Sequence, residues 1–105
     1  MYTVFMYTVS VIKSFADATT EDIFHGEPSK AARRIEKQLW PVVVRKLDML
    51  NAATNLHDLK SPGNQLEKLR GNLAGYWSVR VNDQYRIVFQ FNAGDAFSVS
   101  CRDIH

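Results

Sequence analysis

The chain is 105 residues long, enough for one domain and little more, and 46% of its residues are hydrophobic against 23% charged. That balance describes a globular chain with a modest core and excludes a disordered tail. The net charge is only +2, so what bears on a nucleic-acid partner is where the charges lie rather than their total.

Cys101 is the single cysteine and has no partner for an internal disulfide. No signal-peptide pattern opens the chain, and no apolar run approaches the roughly 18 residues of a membrane helix. These features predict a protein of the reducing cytoplasm with no membrane partner.

Met1–Ser10 reads M-Y-T-V-F-M-Y-T-V-S, with Met1–Val4 repeated at Met6–Val9. It is either an extension or a lengthened first strand, and a single domain is expected over residues 11–105. Val11–Phe15 predicts the first strand proper. T-T-E-D-I-F then offers a threonine N-cap with acids in the first turn, for a short helix that Gly26 and Pro28 end. Ser29 predicts the start of a longer helix, in which Ala31, Ala32, Ile35, Leu39, Val43, Leu47 and Leu50 recur at helical spacing and leave the basic residues outward. Pro41 interrupts that pattern and predicts two helices meeting near Trp40. Asn51–Asn55 ends the second, and Lys60–Asn64 reads as loop.

From Gln65 onward the period is two. Trp77, Val79 and Val81 alternate with Tyr76, Ser78 and Arg80; after a turn at Asn82-Asp83, Tyr85, Ile87 and Phe89 alternate with Gln84, Arg86, Val88 and Gln90. A hairpin turn at Asn92–Asp95 follows, and Phe97, Val99 and Cys101 continue the core parity. The predicted architecture is α+β: an N-terminal strand, two to three helices, then an antiparallel meander with the helices packed on one face. Arg80 and Arg86 fall on the other face.

Arg86 is the leading candidate for function, because a mid-strand arginine presents a rigid planar fork suited to phosphate; otherwise it is a cross-strand partner of Glu67 or Asp103. Lys68 and Arg70, two apart on a presumed strand, share a face and either track a phosphate backbone or blunt a sheet edge. Tyr76 is a stacking platform for bases, while alternation assigns Trp77 and Tyr85 to the core. From Lys30 to Lys46 six cations, Lys30, Arg33, Arg34 and Lys37 among them, stand against Glu36 alone. Such a block is a solvated face or a surface for an acidic partner. His105 beside Asp103 suits a general acid, but both share the parity of Cys101, so the tail must bend or bulge to reach Arg86. His25 and His57 belong to no ligand cluster, and neither a metal nor a cofactor is expected.

Taken together, I-K-S-F, L-N-A-A-T, P-G, L-x-x-L-[KR]-G, G-Y-W-S-V, Y-R-I-x-F-x-F, G-D-A and the terminal D-x-H closely resemble the HigB toxins, a branch of the RelE superfamily of type II toxin–antitoxin systems. The resemblance covers residues 11 to 105. It implies a RelE-like fold and a metal-independent, ribosome-dependent endoribonuclease that cuts messenger RNA by attack of its own 2′-hydroxyl. It also implies a 70S ribosome and mRNA as partners, and neutralisation by a HigA-like helix-turn-helix antitoxin through which alone DNA would be contacted. Carried onto this chain, the catalytic set is Arg70, Arg86, Asp103 and His105. Lys68, Arg80, Gln84, Tyr76, Lys30, Arg33, Arg34 and Lys37 are the expected RNA- or ribosome-binding residues. The pattern departs where relatives commonly have H-P-L-K-G and this chain has Glu67-Lys68-Leu69-Arg70-Gly71. It departs again where D-Y-H becomes Asp103-Ile104-His105, and Gln84 stands where several relatives have asparagine. Glu67 is then the expected base. The alternatives are a ParE-like binding toxin that poisons gyrase, and a catalytically weak ribosome- or RNA-binding module.

Overall fold

The computed structural model describes residues 11–104. The expectations for Met1–Ser10 and for His105 lie outside the described residues. Two helices, α1 (Ala18–Phe24) and α2 (Trp40–Ala52), precede four strands, β1 (Glu67–Lys68), β2 (Trp77–Arg80), β3 (Tyr85–Asn92) and β4 (Asp95–Asp103). The strands form one antiparallel sheet in the order β1-β2-β3-β4. This is the α+β meander read from the sequence.

The first segment is less regular than expected. Ile12 and Phe15 make isolated parallel bridges to Ala96 and Val99 of β4, and the Asn51 side chain accepts from the Val11 and Ile12 amides at 3.0 and 2.9 Å. Helix α1 is capped by Asp17, whose carboxylate accepts from the Thr20 amide at 2.8 Å, and not by a threonine. The threonines serve tertiary bonds instead: Thr19 donates to the Ala31 carbonyl and Thr20 accepts from the Cys101 amide, both at 2.8 Å.

Of the two helices expected from Ser29 to meet near Trp40, the second is present, and the first is replaced by a 3₁₀ turn at Ala32–Arg34, extended residues Ile35 and Glu36, and a second turn at Lys37–Leu39. The cause is Pro41. Its ring would clash with a helical carbonyl four residues back, at Lys37, whereas in the first turn of a helix it needs no amide and costs nothing. The helix therefore begins at Trp40, and the Trp40 indole N–H bonds the Ile35 carbonyl at 2.9 Å to fix the junction. Val43, Leu47 and Leu50 of α2 meet Val79, Ile87, Phe89 and Val99 in the core. Lys46 does not point outward as the other cations do; it is 7% exposed.

A β-bulge corrects the parity of β4. Ser98 has φ +53° and the β3–β4 register shifts there, so Phe97 pairs with Gln90 on the face away from the helices while Val99 and Cys101 are buried in the core. Phe97 was expected in the core; Ala96 takes its place.

Candidate functional site

Directly opposed residues in an antiparallel sheet project to the same side. Arg80 of β2 opposes Arg86 of β3, and Arg86 opposes Arg102 of β4, so three arginines form one row on the face remote from the helices. The bulge makes this row. Continued unbroken from its turn, the hairpin register would set Cys101 opposite Arg86 and send Arg102 to the helix side. Like charges directly opposed are destabilising, so the row needs counter-charges or a ligand.

Two carboxylates supply part of that. Asp83 pairs with Arg80 at 2.5 Å across the β2–β3 turn, where the Asn82 side chain accepts from the Gln84 and Tyr85 amides at 3.0 and 2.7 Å. Glu67 lies 3.9 Å from the Arg86 guanidinium. Arg86 is held more firmly than either neighbour: Nε donates to Ser78 Oγ at 2.7 Å, and Nη2 donates to the Gln65 carbonyl and, at 3.5 Å, to the Ser78 carbonyl. Its side chain is 13% exposed. Nη1 has no bond among the described residues and remains for a ligand.

Gln65, Glu67, Arg80, Asn82, Asp83, Arg86 and Ile104 line a cleft of about 350 Å³. A larger cavity of about 430 Å³ lies elsewhere, between the end of α2 and the β3–β4 turn; it is lined by Asp48 and Asp95 without a lysine or arginine, and is no place for an anion.

The cleft gathers Arg86, Arg80 and Glu67 from the predicted site residues. Asp103 keeps the core parity, pairs with Tyr85, and accepts from Gln84 Nε2 at 3.2 Å beside the cleft; the next residue, Ile104, turns onto the cleft. The remainder are outside it. β1 ends at Lys68, so Lys68 and Arg70 share no strand face: Lys68 opposes Trp77, with its ammonium 5.9 Å from that ring, and Arg70 is exposed before the turn at Gly71–Leu73. Tyr76 is half-buried ahead of β2. Lys30, Arg33, Arg34 and Lys37 are exposed on the segment tied to α1, where Arg33 donates to the Pro28 carbonyl at 3.0 Å and Lys37 sits 5.8 Å over the Trp40 ring.

Sequence reasoning missed Gln65, Ser78, Asn82, Asp83 and Ile104. Ser78 and Asp83 were within reach, the first by sharing the parity of Arg80 and the second by standing three residues after it across a turn. Gln65 carried no signal, because its contribution is a backbone carbonyl presented from a left-handed conformation, φ 43° and ψ 55°. Cys101 has its thiol pushed up to about 12 by burial and then by Asp17, so it is inert packing. No helix among the described residues is long and apolar enough to cross a membrane.

The sequence profile of RelE-like toxins of the type II toxin–antitoxin system HigB matches residues 13–105. The chain belongs to the HigB toxin family. Toxin HigB-1 of Vibrio cholerae is 41% identical over 85 residues, covering 80% of this chain and 87% of that protein. Endoribonuclease HigB of Proteus vulgaris is 31% identical over 100 residues, covering 90% of this chain and all of that protein. The fold is that of RelE-like toxins: the YoeB–YefM complex from Staphylococcus aureus contains a chain matched with TM-score 0.56 at 18% identity, over 90% of this HigB-family chain and 97% of that one.

Proposed function

We propose that this HigB-family toxin is a ribosome-dependent endoribonuclease whose cleft holds the scissile phosphate of a translated message. The observation that carries the reading is Arg86: a guanidinium fixed by Ser78 and Gln65, flanked by Arg80 and Arg102, with the Glu67 carboxylate 3.9 Å away. The relative named Endoribonuclease HigB supports the reaction class.

Glu67 takes the proton of the RNA 2′-hydroxyl as that oxygen forms a bond to the adjacent phosphorus. The bond from phosphorus to the 5′-oxygen breaks, and the leaving oxygen takes a proton from His105, which follows Ile104 of the cleft wall. The products are a 2′,3′-cyclic phosphate and a 5′-hydroxyl, and no cofactor enters the balance. Arg86, with Arg80 and Arg102 beside it, stabilises the charge that grows on the phosphoryl oxygens, a role in which losing one fixed donor typically costs about 10²–10³ in rate. The RNA enters by displacing Glu67 from its pairing with Arg86, which frees the carboxylate as a base at the moment the phosphate arrives. The ribosome supplies the message in a strained single-stranded form, and the exposed cations from Lys30 to Lys37 contact ribosomal phosphates. A HigA-like helix-turn-helix antitoxin neutralises the toxin in the cytoplasm; the YoeB–YefM complex supports a dedicated antitoxin as the partner.

The test is induction of the wild-type chain and of Arg86→Ala in bacteria, with messenger RNA 5′ ends mapped while translation runs and after initiation is blocked. Cuts inside translated frames that need translation and vanish in Arg86→Ala are expected. Growth arrest with intact messages would overturn the proposal in favour of a gyrase-directed or merely ribosome-occupying toxin.

A further inference from the structure

The bond from Arg86 to the Gln65 carbonyl depends on a strap, residues 59–65, that runs from the end of the helical layer to the cleft. Gln65 is a non-glycine residue in the left-handed region, a strained conformation that persists only where surrounding bonds over-determine it. Those bonds converge on the preceding residue. Asn64 is 1% exposed; its amide donates to the Ser61 carbonyl at 3.0 Å, its Nδ2 to the Leu59 carbonyl at 3.1 Å, and its Oδ1 accepts from Lys46 Nζ at 2.6 Å. Lys46 also donates to the Gly63 carbonyl at 3.3 Å. A buried ammonium is costly, and burial, Arg45 and Arg80, in that order, all push its pKa down. A methionine would fill the same space without that cost.

We infer that Lys46 is a positioning residue for the cleft: through Asn64 it fixes Gln65, whose carbonyl orients the Arg86 guanidinium, and the same strap delivers Glu67 two residues later. The inference rests on the role given to Arg86 above. A chain of bonds thus links α2, on the helical side of the sheet, to the reacting face on the other side.

The experiment compares wild type with Lys46→Met, and with Lys46→Gln as a second variant that keeps a neutral donor. The readouts are the melting temperature, the Arg86 Nε–H signal in NMR of the isolated chain, and kcat and KM of ribosome-dependent cleavage. A folded variant in which the Arg86 signal moves toward that of an unconstrained arginine, with kcat down about tenfold and KM within threefold, is the expected result. Either a folded variant with the Arg86 signal and kcat unchanged, or failure of both variants to fold, would overturn the inference and leave Lys46 a structural element only. A shifted Arg86 signal in a chain whose wild type cleaves no RNA would retain the positioning and sink the nuclease reading instead.

Discussion

Two regions of this toxin are strongly basic, and they are built in opposite ways. Lys30, Arg33, Arg34 and Lys37 stand exposed on an irregular segment, held by one carbonyl bond and one aromatic contact. Arg80, Arg86 and Arg102 stand in register across three strands, and the central one is fixed through two of its three nitrogens. Charge is common to both; a guanidinium anchored through several hydrogen bonds belongs to one. Exposed surface cations give salt-sensitive attraction to a polyanion, whereas a fixed fork can favour one phosphate geometry over another and so contribute to a reaction.

Arg86→Ala should break that contrast hardest, lowering kcat for ribosome-dependent cleavage by about 10²–10³ with the fold retained by circular dichroism. Glu67→Gln tests the base: a loss of about a hundredfold in single-turnover rate is expected, while unchanged cleavage would move the base elsewhere. Neutralising the exposed region, with Lys30, Arg33, Arg34 and Lys37 all changed to Gln, should instead raise KM by about tenfold at low salt and flatten the salt dependence, leaving kcat nearly unaltered. The smallest effect is expected from Asp83→Asn, which frees Arg80 of a fully exposed partner and should tighten binding of a non-cleavable RNA by a few-fold in titrations.

The sheet was legible because both of its inner strands alternate cleanly and their turns, Asn82-Asp83 and Ala93-Gly94, carry turn residues. Arg80 and Arg86 were therefore placed on the correct face from sequence. The core parity of Val99 and Cys101 puts Arg102 on that face as well; what the sequence did not show is its register opposite Arg86, which is set by the bulge at Ser98, a residue type with no signature for positive φ. Pro41 places a helix boundary near Trp40, and α2 does begin there; the stretch before it forms 3₁₀ turns and not the first of two helices, although the pattern of apolar residues runs through the break. Lys46 stands at helical spacing from Val43 and Leu50 on the apolar face, yet a charged residue reads as outward unless its hidden partner, Asn64, is known. The cleft is thus half written in local pattern and half in contacts between distant segments.

The most direct test is single-turnover cleavage at saturating ribosome concentration, comparing Arg86→Lys with the fourfold Gln variant of the exposed region. Lysine keeps the charge and loses the fork. The account predicts that Arg86→Lys stays at least about thirtyfold slow however much ribosome is added, while the fourfold variant recovers to near the wild-type rate. Recovery of Arg86→Lys together with a persistent defect in the fourfold variant would contradict it, and would place the chemistry with the exposed cations and not in the arginine row.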